Sequence, residues 1–336
     1  MWFGLLWATL LPVAAQHSLS KLERISISGT EHIRLEDWGR ANNFQAMWVV
    51  PRQEFKLIRS SATLAFTVDS ARMVINGIHV WLSAPVALRN GSAWVAAIDL
   101  TTALQPVLFP SKNWGGKTIK TVVLDPGHGG KDPGYHEGKQ QEKKYTLLLA
   151  KEVSDVLNKA GLKASLTRTS DTALELPSRP DVARRRGADL FVSLHFNSAE
   201  GAGGSAVKGA EVYCITPART SSTNARGEGA GAGAYPGNQF DAKSMLLGYQ
   251  IQKSLVKNLS VEDRGVRRAR FAVLRSAEMP AVLIEGGFMT NPAEGKKISD
   301  PAYRHQMAQA IVDGVRAYKN LVEGPAPPDR AEAASP

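Results

Sequence analysis

Cysteine is almost missing from these 336 residues: Cys214 is the only one. That count excludes a disulfide framework and a thiolate-rich zinc cluster. Long apolar runs are missing too, since no stretch reaches the roughly 18 to 20 residues a membrane helix needs. The glycine-rich stretch GHGGKDPG at 127–134 lacks the Gly-Lys-Ser/Thr ending of a phosphate-binding loop, and the region holds no GxGxxG. Aromatics supply only 7%, yet the hydrophobic share is 43% and the charged share 21%. This balance excludes a disordered chain, a collagen-like repeat and a coiled coil. A soluble globular protein remains, long enough for one large domain or two ordinary ones.

Acidic residues are in deficit. Lys and Arg number 41 against 31 Asp and Glu, for a net charge of +10 and a pI near 9.7. Such a surface favours anionic partners, and charge alone does not choose among nucleic acid, acidic lipid and an anionic cell-surface polymer. No basic patch with interleaved aromatics suggests a nucleic-acid module. The apolar stretch Met1 to Ala15, with Val13 and Ala15 before Gln16, has the shape of a secretory signal cleaved near Ala15, although no Lys or Arg marks its start. A secreted or periplasmic protein is expected.

From Ser18 to Pro110 short apolar stretches predict a small β-rich accessory domain. Asn76-Gly77 and Asn90-Gly91 each lie between such stretches, the strongest short-range hairpin signal. His32 and His79 stand alone there and read as structural residues. Val74-Ile75-Asn76-Gly77, Leu82, Pro85-Val86 and Trp94 to Leu100 resemble the N-terminal-like domain of copper amine oxidases. That resemblance implies a binding or spacer module and no copper.

Residues 118–322 change texture to alternating strand and helix, which predicts an α/β domain. Val122 to Leu124, Leu190 to Leu194 and Ala281 to Ile284 read as buried strands. Tyr145, Leu148, Leu149, Val153, Val156, Leu157 and Ala160 recur at helical spacing, with Gly161 as the stop. Ala218 to Asp241, rich in Gly, Ala, Ser and Thr, is expected to be a long surface loop, and 323–336 a disordered tail.

The three apolar runs lead into ionisable residues: Asp125-Pro126-Gly127-His128, His195-Phe196-Asn197, and Glu285-Gly286-Gly287. In open α/β sheets ligands sit beyond the carboxyl ends of the strands, so parallel neighbours would bring His128, His195 and Glu285 to one edge. Glu142, where the amphipathic helix begins, is a fourth candidate. Two imidazoles and a carboxylate form an open catalytic zinc site, and a second carboxylate can shuttle the proton of an attacking water. Spacing alone leaves room for structural histidines, and for a glutamate serving only the helix dipole.

The stretches Val122 to Gly134, Glu142-Lys143, Leu166 to Asp171, Ala188 to Asn197 and Pro280 to Pro292 resemble the zinc-dependent N-acetylmuramoyl-L-alanine amidases of bacterial cell walls. The resemblance implies a twisted, mostly parallel sheet flanked by helices, with His128, Glu142 and His195 as zinc ligands and Glu285 as the catalytic carboxylate. It implies peptidoglycan as partner and cleavage between N-acetylmuramic acid and the L-alanine of the stem peptide. Asn197 is expected to orient a ligand or the substrate.

His136 adds an imidazole between the first two ligands and is expected at the surface. Some members carry an autoinhibitory helix released by an activator; the Ala218–Asp241 stretch is too Gly-rich for one, which leaves an activator protein an open expectation. The arginines at 184–186 and in Arg267-Arg268-Ala269-Arg270 are either a solvated face or an attraction for anionic wall components. Two rivals are a non-catalytic wall-binding protein on the same scaffold and a zinc carboxypeptidase. The four site residues weigh against the first. The second lacks its His-x-x-Glu pair, because Lys131 and Ser198 stand at those positions.

Overall fold

The computed structural model describes residues 22–111, 118–223 and 233–323. The expected signal segment, the tail beyond 323 and the glycine-rich run 224–232 lie outside the described residues.

The N-terminal part supplies β1 (Arg24–Ile27), β2 (Thr30–Arg34), β3 (Gln45–Val50), β4 (Glu54–Arg59), β5 (Ala62–Thr67), β6 (Arg72–Ile75), β7 (Ile78–Trp81), β8 (Ala87–Arg89) and β9 (Ser92–Ala96). Both Asn-Gly signals are hairpin turns: Asn76 and Gly77 have φ of +48° and +85°, and Asn90 and Gly91 +49° and +76°. Positive φ at both central positions matches the twist of the flanking strands, and Asn and Gly tolerate it best. The apolar run through Trp94 does not continue as a strand. It turns at Ala97 into helical backbone that reaches Leu108.

The rest of the chain adds β10 (Thr121–Pro126), β11 (His136–Glu137), β12 (Gln140–Gln141), β13 (Lys163–Leu166), β14 (Leu190–Asn197), β15 (Ala210–Ile215), β16 (Asp263–Ala269) and β17 (Ala281–Phe288). β10 lies between β13 and β14 and β17 follows, all parallel. The expected helix runs Glu142–Lys159 and stops at Gly161, whose φ is +79°. Together with the helices Asp241–Leu259 and Pro301–Glu323 it buries an apolar face. Asp241, expected to end a loop, begins a helix.

Two features differ from the sequence-based expectation. The sheet is mixed, because β15 runs antiparallel to β17 and parallel to β16. The N-terminal strands also do not stand apart: β7 pairs in parallel with β16 at Val80 and Val266, giving one eleven-stranded sheet in the order β13-β10-β14-β17-β15-β16-β7-β6-β5-β4-β3. Among the described residues β1-β2-β9-β8 forms a separate four-stranded sheet, and β11 and β12 pair as a two-stranded one. Buried Leu64, Val80, Leu100, Val212, Tyr249 and Ile311 share one hydrophobic core. Polar ties cross the seam as well. Arg268, only 1% exposed, donates to the carbonyls of Thr102 at 2.6 Å and Ile215 at 3.3 Å. Tyr249 OH donates to the Ile75 carbonyl at 2.9 Å. Alternation of strand and turn residues in the sequence reports each hairpin, but not which distant edge it joins.

Candidate active site

The carboxyl ends of β10, β14 and β17 bring the expected residues to one edge. His128 follows the end of β10, His195 and Asn197 close β14, Glu285 lies in β17, and Glu142 opens its helix. His195 and Glu285 are register partners on adjacent parallel strands. The pairing slips between His195 and Asn197, a bulge of the kind that re-aims side chains beside functional sites.

Glu142 Oε1 lies 3.0 Å from His128 Nε2 and 3.0 Å from His195 Nδ1. The two imidazoles meet edge to face, centroids 4.9 Å apart. One donor atom from each of His128, Glu142 and His195 lies within 4.8 Å of the others, a group that could hold a metal ion. Asp132 Oδ2 contacts His128 Nδ1 at 2.7 Å. With a cation bound on the other side of the ring, that contact would hold the proton on Nδ1 and leave the Nε2 lone pair to the cation. Glu142 Oε2 accepts from the Tyr135 N–H at 3.0 Å, which fixes the carboxylate plane. Burial alone would raise the Glu142 pKa, but its bonds to the two histidines hold it well below the ordinary carboxylate range. For His128, burial opposes the charge, while Glu142 and Asp132 outweigh it and raise the pKa.

Glycines make the room. A Cβ at Gly127 would lie 2.2 Å from His195 Cε1, and one at Gly134 would lie 2.4 Å from Glu142 Oε2. Both glycines therefore serve as contact surfaces for the His195 and Glu142 side chains. His128 itself has φ +60°, a conformation costly for a residue with a Cβ and found where surrounding structure enforces it. Two buried guanidinium groups do so. Arg179 donates to the carbonyls of Pro126 and His128, each at 2.9 Å, and Arg168 to those of Pro126 at 3.0 Å and Gly127 at 2.7 Å. Asp125, fully buried, pairs with Arg179 at 3.0 Å and accepts from Ser193 Oγ at 2.9 Å and Thr167 Oγ1 at 2.6 Å.

These groups line a cavity of about 350 Å³. His128, His195, Glu142 and Glu285 face it together with Asn197, and Leu176 and Phe271 form apolar walls. Among the described residues the buried Oε2 of Glu285 has no hydrogen-bond partner. Burial first, then the nearby carboxylates of Glu142 and Glu211, raise its pKa well above the ordinary range. Asn197 donates from Nδ2 to Glu211 Oε1 at 2.8 Å and accepts on Oδ1 from the Ser198 N–H.

Asp132, Asp125, Arg179 and Glu211 are the residues the sequence reading missed as supports. Glu211 carried a signal, as the one acidic residue inside the apolar run 210–215. Arg179 carried none. His136 is exposed and outside the ligand group. His32 contacts the Thr30 carbonyl and His79 contacts Asp263, so both are structural. Cys214 is buried against the Ser244 carbonyl, and burial pushes its thiol up to about 12. The arginines at 267 and 268 are not a solvated face, since Arg268 is buried and Arg267 pairs with Glu211.

The part of the chain that carries this site is similar to known proteins. Residues 122–317 match a family model described as N-acetylmuramoyl-L-alanine amidase. The chain is 35% identical over 231 residues to N-acetylmuramoyl-L-alanine amidase AmiA of Escherichia coli, covering 62% of this chain and 78% of that protein. It is 32% identical over 243 residues to the probable cell wall amidase LytH of Staphylococcus saprophyticus, covering 71% of each. A solved N-acetylmuramoyl-L-alanine amidase from Clostridium difficile 630 superposes with a TM-score of 0.50 at 34% identity, over 60% of this chain and 97% of that one.

Proposed function

The chain belongs to the N-acetylmuramoyl-L-alanine amidase family and is a hydrolase, and on that premise we propose that it uses zinc to cleave the amide between N-acetylmuramic acid and L-alanine in peptidoglycan. The observation that carries the reading is the His128–Glu142–His195 group beside a Glu285 Oε2 that has no hydrogen-bond partner among the described residues. Two imidazole nitrogens and one carboxylate oxygen suit zinc with a position left open, and the glycine-lined approach to two of these ligands fits a purpose-built cradle. Zinc bound there supplies a Lewis acid that polarises the scissile carbonyl and acidifies water.

The chain's own residues do the rest. Glu285 takes a proton from the attacking water at Oε2 and delivers it to the leaving nitrogen of L-alanine. Asp132 holds the His128 tautomer, and Arg168 and Arg179 hold the loop that carries it. Leu176 and Phe271 offer the substrate apolar contacts beside the site. This substrate lies outside the cytoplasm. That agrees with the secretory character of Met1 to Ala15 and with the finding that no helix among the described residues is long and apolar enough to cross a membrane. Mass spectrometry of products from purified peptidoglycan tests the proposal. Free stem peptides beside intact glycan strands, lost on chelation and restored by zinc, are expected; a bound protein that releases nothing refutes it.

A further inference from the structure

Glu211 sits beside the site without belonging to the ligand group. It is 2% exposed, and each of its oxygens takes two donors. Oε1 accepts from Asn197 Nδ2 and Tyr213 OH, both at 2.8 Å. Oε2 accepts from Arg264 Nε and Arg267 Nη1, both at 3.0 Å. A buried carboxylate that is fully hydrogen-bonded is stiff, and its loss strands every partner. Its place is also fixed across the sheet, because Glu211 is the register partner of Glu285, and Glu285 of His195.

The two arginines are held in turn. Arg264 lies over the Phe288 ring at 4.9 Å, and Arg267 lies over the Trp81 ring at 4.5 Å. Trp81 Nε1 donates to the Arg264 carbonyl at 2.9 Å. Trp81 belongs to β7, in the N-terminal part that precedes the family match at residues 122–317. A chain of contacts therefore runs Trp81–Arg267–Glu211–Asn197 and ends in the cavity.

We propose that Glu211 is a positioning residue for the hydrolysis, fixing the Asn197 carboxamide against the cavity, and that Trp81 of the N-terminal strands holds it through Arg267. The carboxamide carries a second amide hydrogen that the bond to Glu211 does not use. Turned to the cavity, that hydrogen orients a carbonyl or hydroxyl of the substrate next to the scissile bond. The N-terminal strands are on this account part of the catalytic machinery's support. The inference rests on the amidase reading.

The test uses the full-length, zinc-loaded chain and its E211Q, W81A, W81F and W81A/E211Q variants. Kinetics on solubilised peptidoglycan are paired with the Asn197 side-chain amide resonance in NMR. For E211Q, kcat per zinc-loaded molecule is expected to fall about 10- to 100-fold with KM little changed, as a misplaced positioning group does. W81A should lose kcat in the same sense, W81F should recover it by restoring a ring face, and W81A should add little on the E211Q background. The slow-exchanging Asn197 amide signal should collapse in E211Q and W81A and return in W81F. A kcat for E211Q or W81A within about twofold of wild type, multiplicative losses in the double variant, or an unmoved Asn197 resonance would overturn the inference. A wild-type chain that releases no stem peptide removes the amidase reading instead, and the resonance still reports whether Trp81 and Glu211 hold Asn197.

Discussion

Gly127→Ala is the sharpest single-atom test of the site. The added Cβ would lie 2.2 Å from His195 Cε1, 2.4 Å from Nε2 and 2.6 Å from Nδ1. Ordinary carbon contacts stand at about 3.5–4.0 Å, so one side must give by more than about 1 Å. The backbone offers little relief, because Arg168 and Arg179 pin the carbonyls of Pro126, Gly127 and His128, and Gly127 N–H donates to the Leu194 carbonyl at 3.0 Å. The imidazole is the part that moves. Metal–ligand distances tolerate about 0.2 Å, several times less than the required shift. Zinc affinity should therefore fall at least about 10- to 100-fold, the size seen when a ligand loses its orientation. Overpacking should cost about 1–3 kcal/mol, leaving the fold intact but a few degrees less stable. Chelator competition gives the affinity, circular dichroism with thermal melting gives the fold, and product release gives the turnover. A folded Gly127→Ala protein that keeps wild-type zinc affinity and turnover would refute the steric argument and the place of His195 in the ligand set.

Glu285→Ala should abolish turnover, by several orders of magnitude in kcat, while elemental analysis still finds one zinc per chain; undiminished release of stem peptides would remove Glu285 from proton transfer. Arg179→Met leaves the buried Asp125 carboxylate without its ion-pair partner and unpins the His128 carbonyl, so urea unfolding should show a loss of about 3–5 kcal/mol, and an unchanged midpoint would count against the pair. Asp99 is 1% exposed, and burial, against the bonds it accepts from Ser83 and the Arg268 charge, pushes its pKa up from 3.8 to about 6. A carboxyl with a raised folded-state pKa stabilises the fold fully below its unfolded value and loses that contribution as pH rises through the folded one. The Asp99→Asn variant should therefore gain relative to wild type by up to about 3 kcal/mol between roughly pH 4 and pH 6, measured from paired denaturation curves, and a constant difference across that range would disprove the shift.

The hairpins, the helix after Glu142 and the three strands behind the site were legible because each is a local pattern. Asn-Gly turns, helical spacing and apolar runs need no distant partner to be recognised. The ligand candidates were legible for a related reason, since each ends or follows an element whose direction places it at a strand's carboxyl edge. Supports from afar were not. Arg179 has no local signature, and its value comes from Asp125 and the His128 carbonyl, which only folding brings near. The seam was equally invisible, because β7 carries the same alternation whether its free edge faces water or β16.

Chain chemistry by itself thus determined the hairpins, the helix that opens at Glu142 and the strands behind the site, the glycine spacing that admits the imidazole and carboxylate side chains, and the inventory of two histidines and two glutamates for a hydrolytic centre. Tertiary structure alone decided that β15 inverts within the sheet, that the N-terminal strands extend it, and that Trp81 lies over Arg267 beside the site. Propensity acts over a few residues along the chain. Pairing of sheet edges and burial of charge depend on surfaces hundreds of residues apart, and these exist only once the chain has closed on itself.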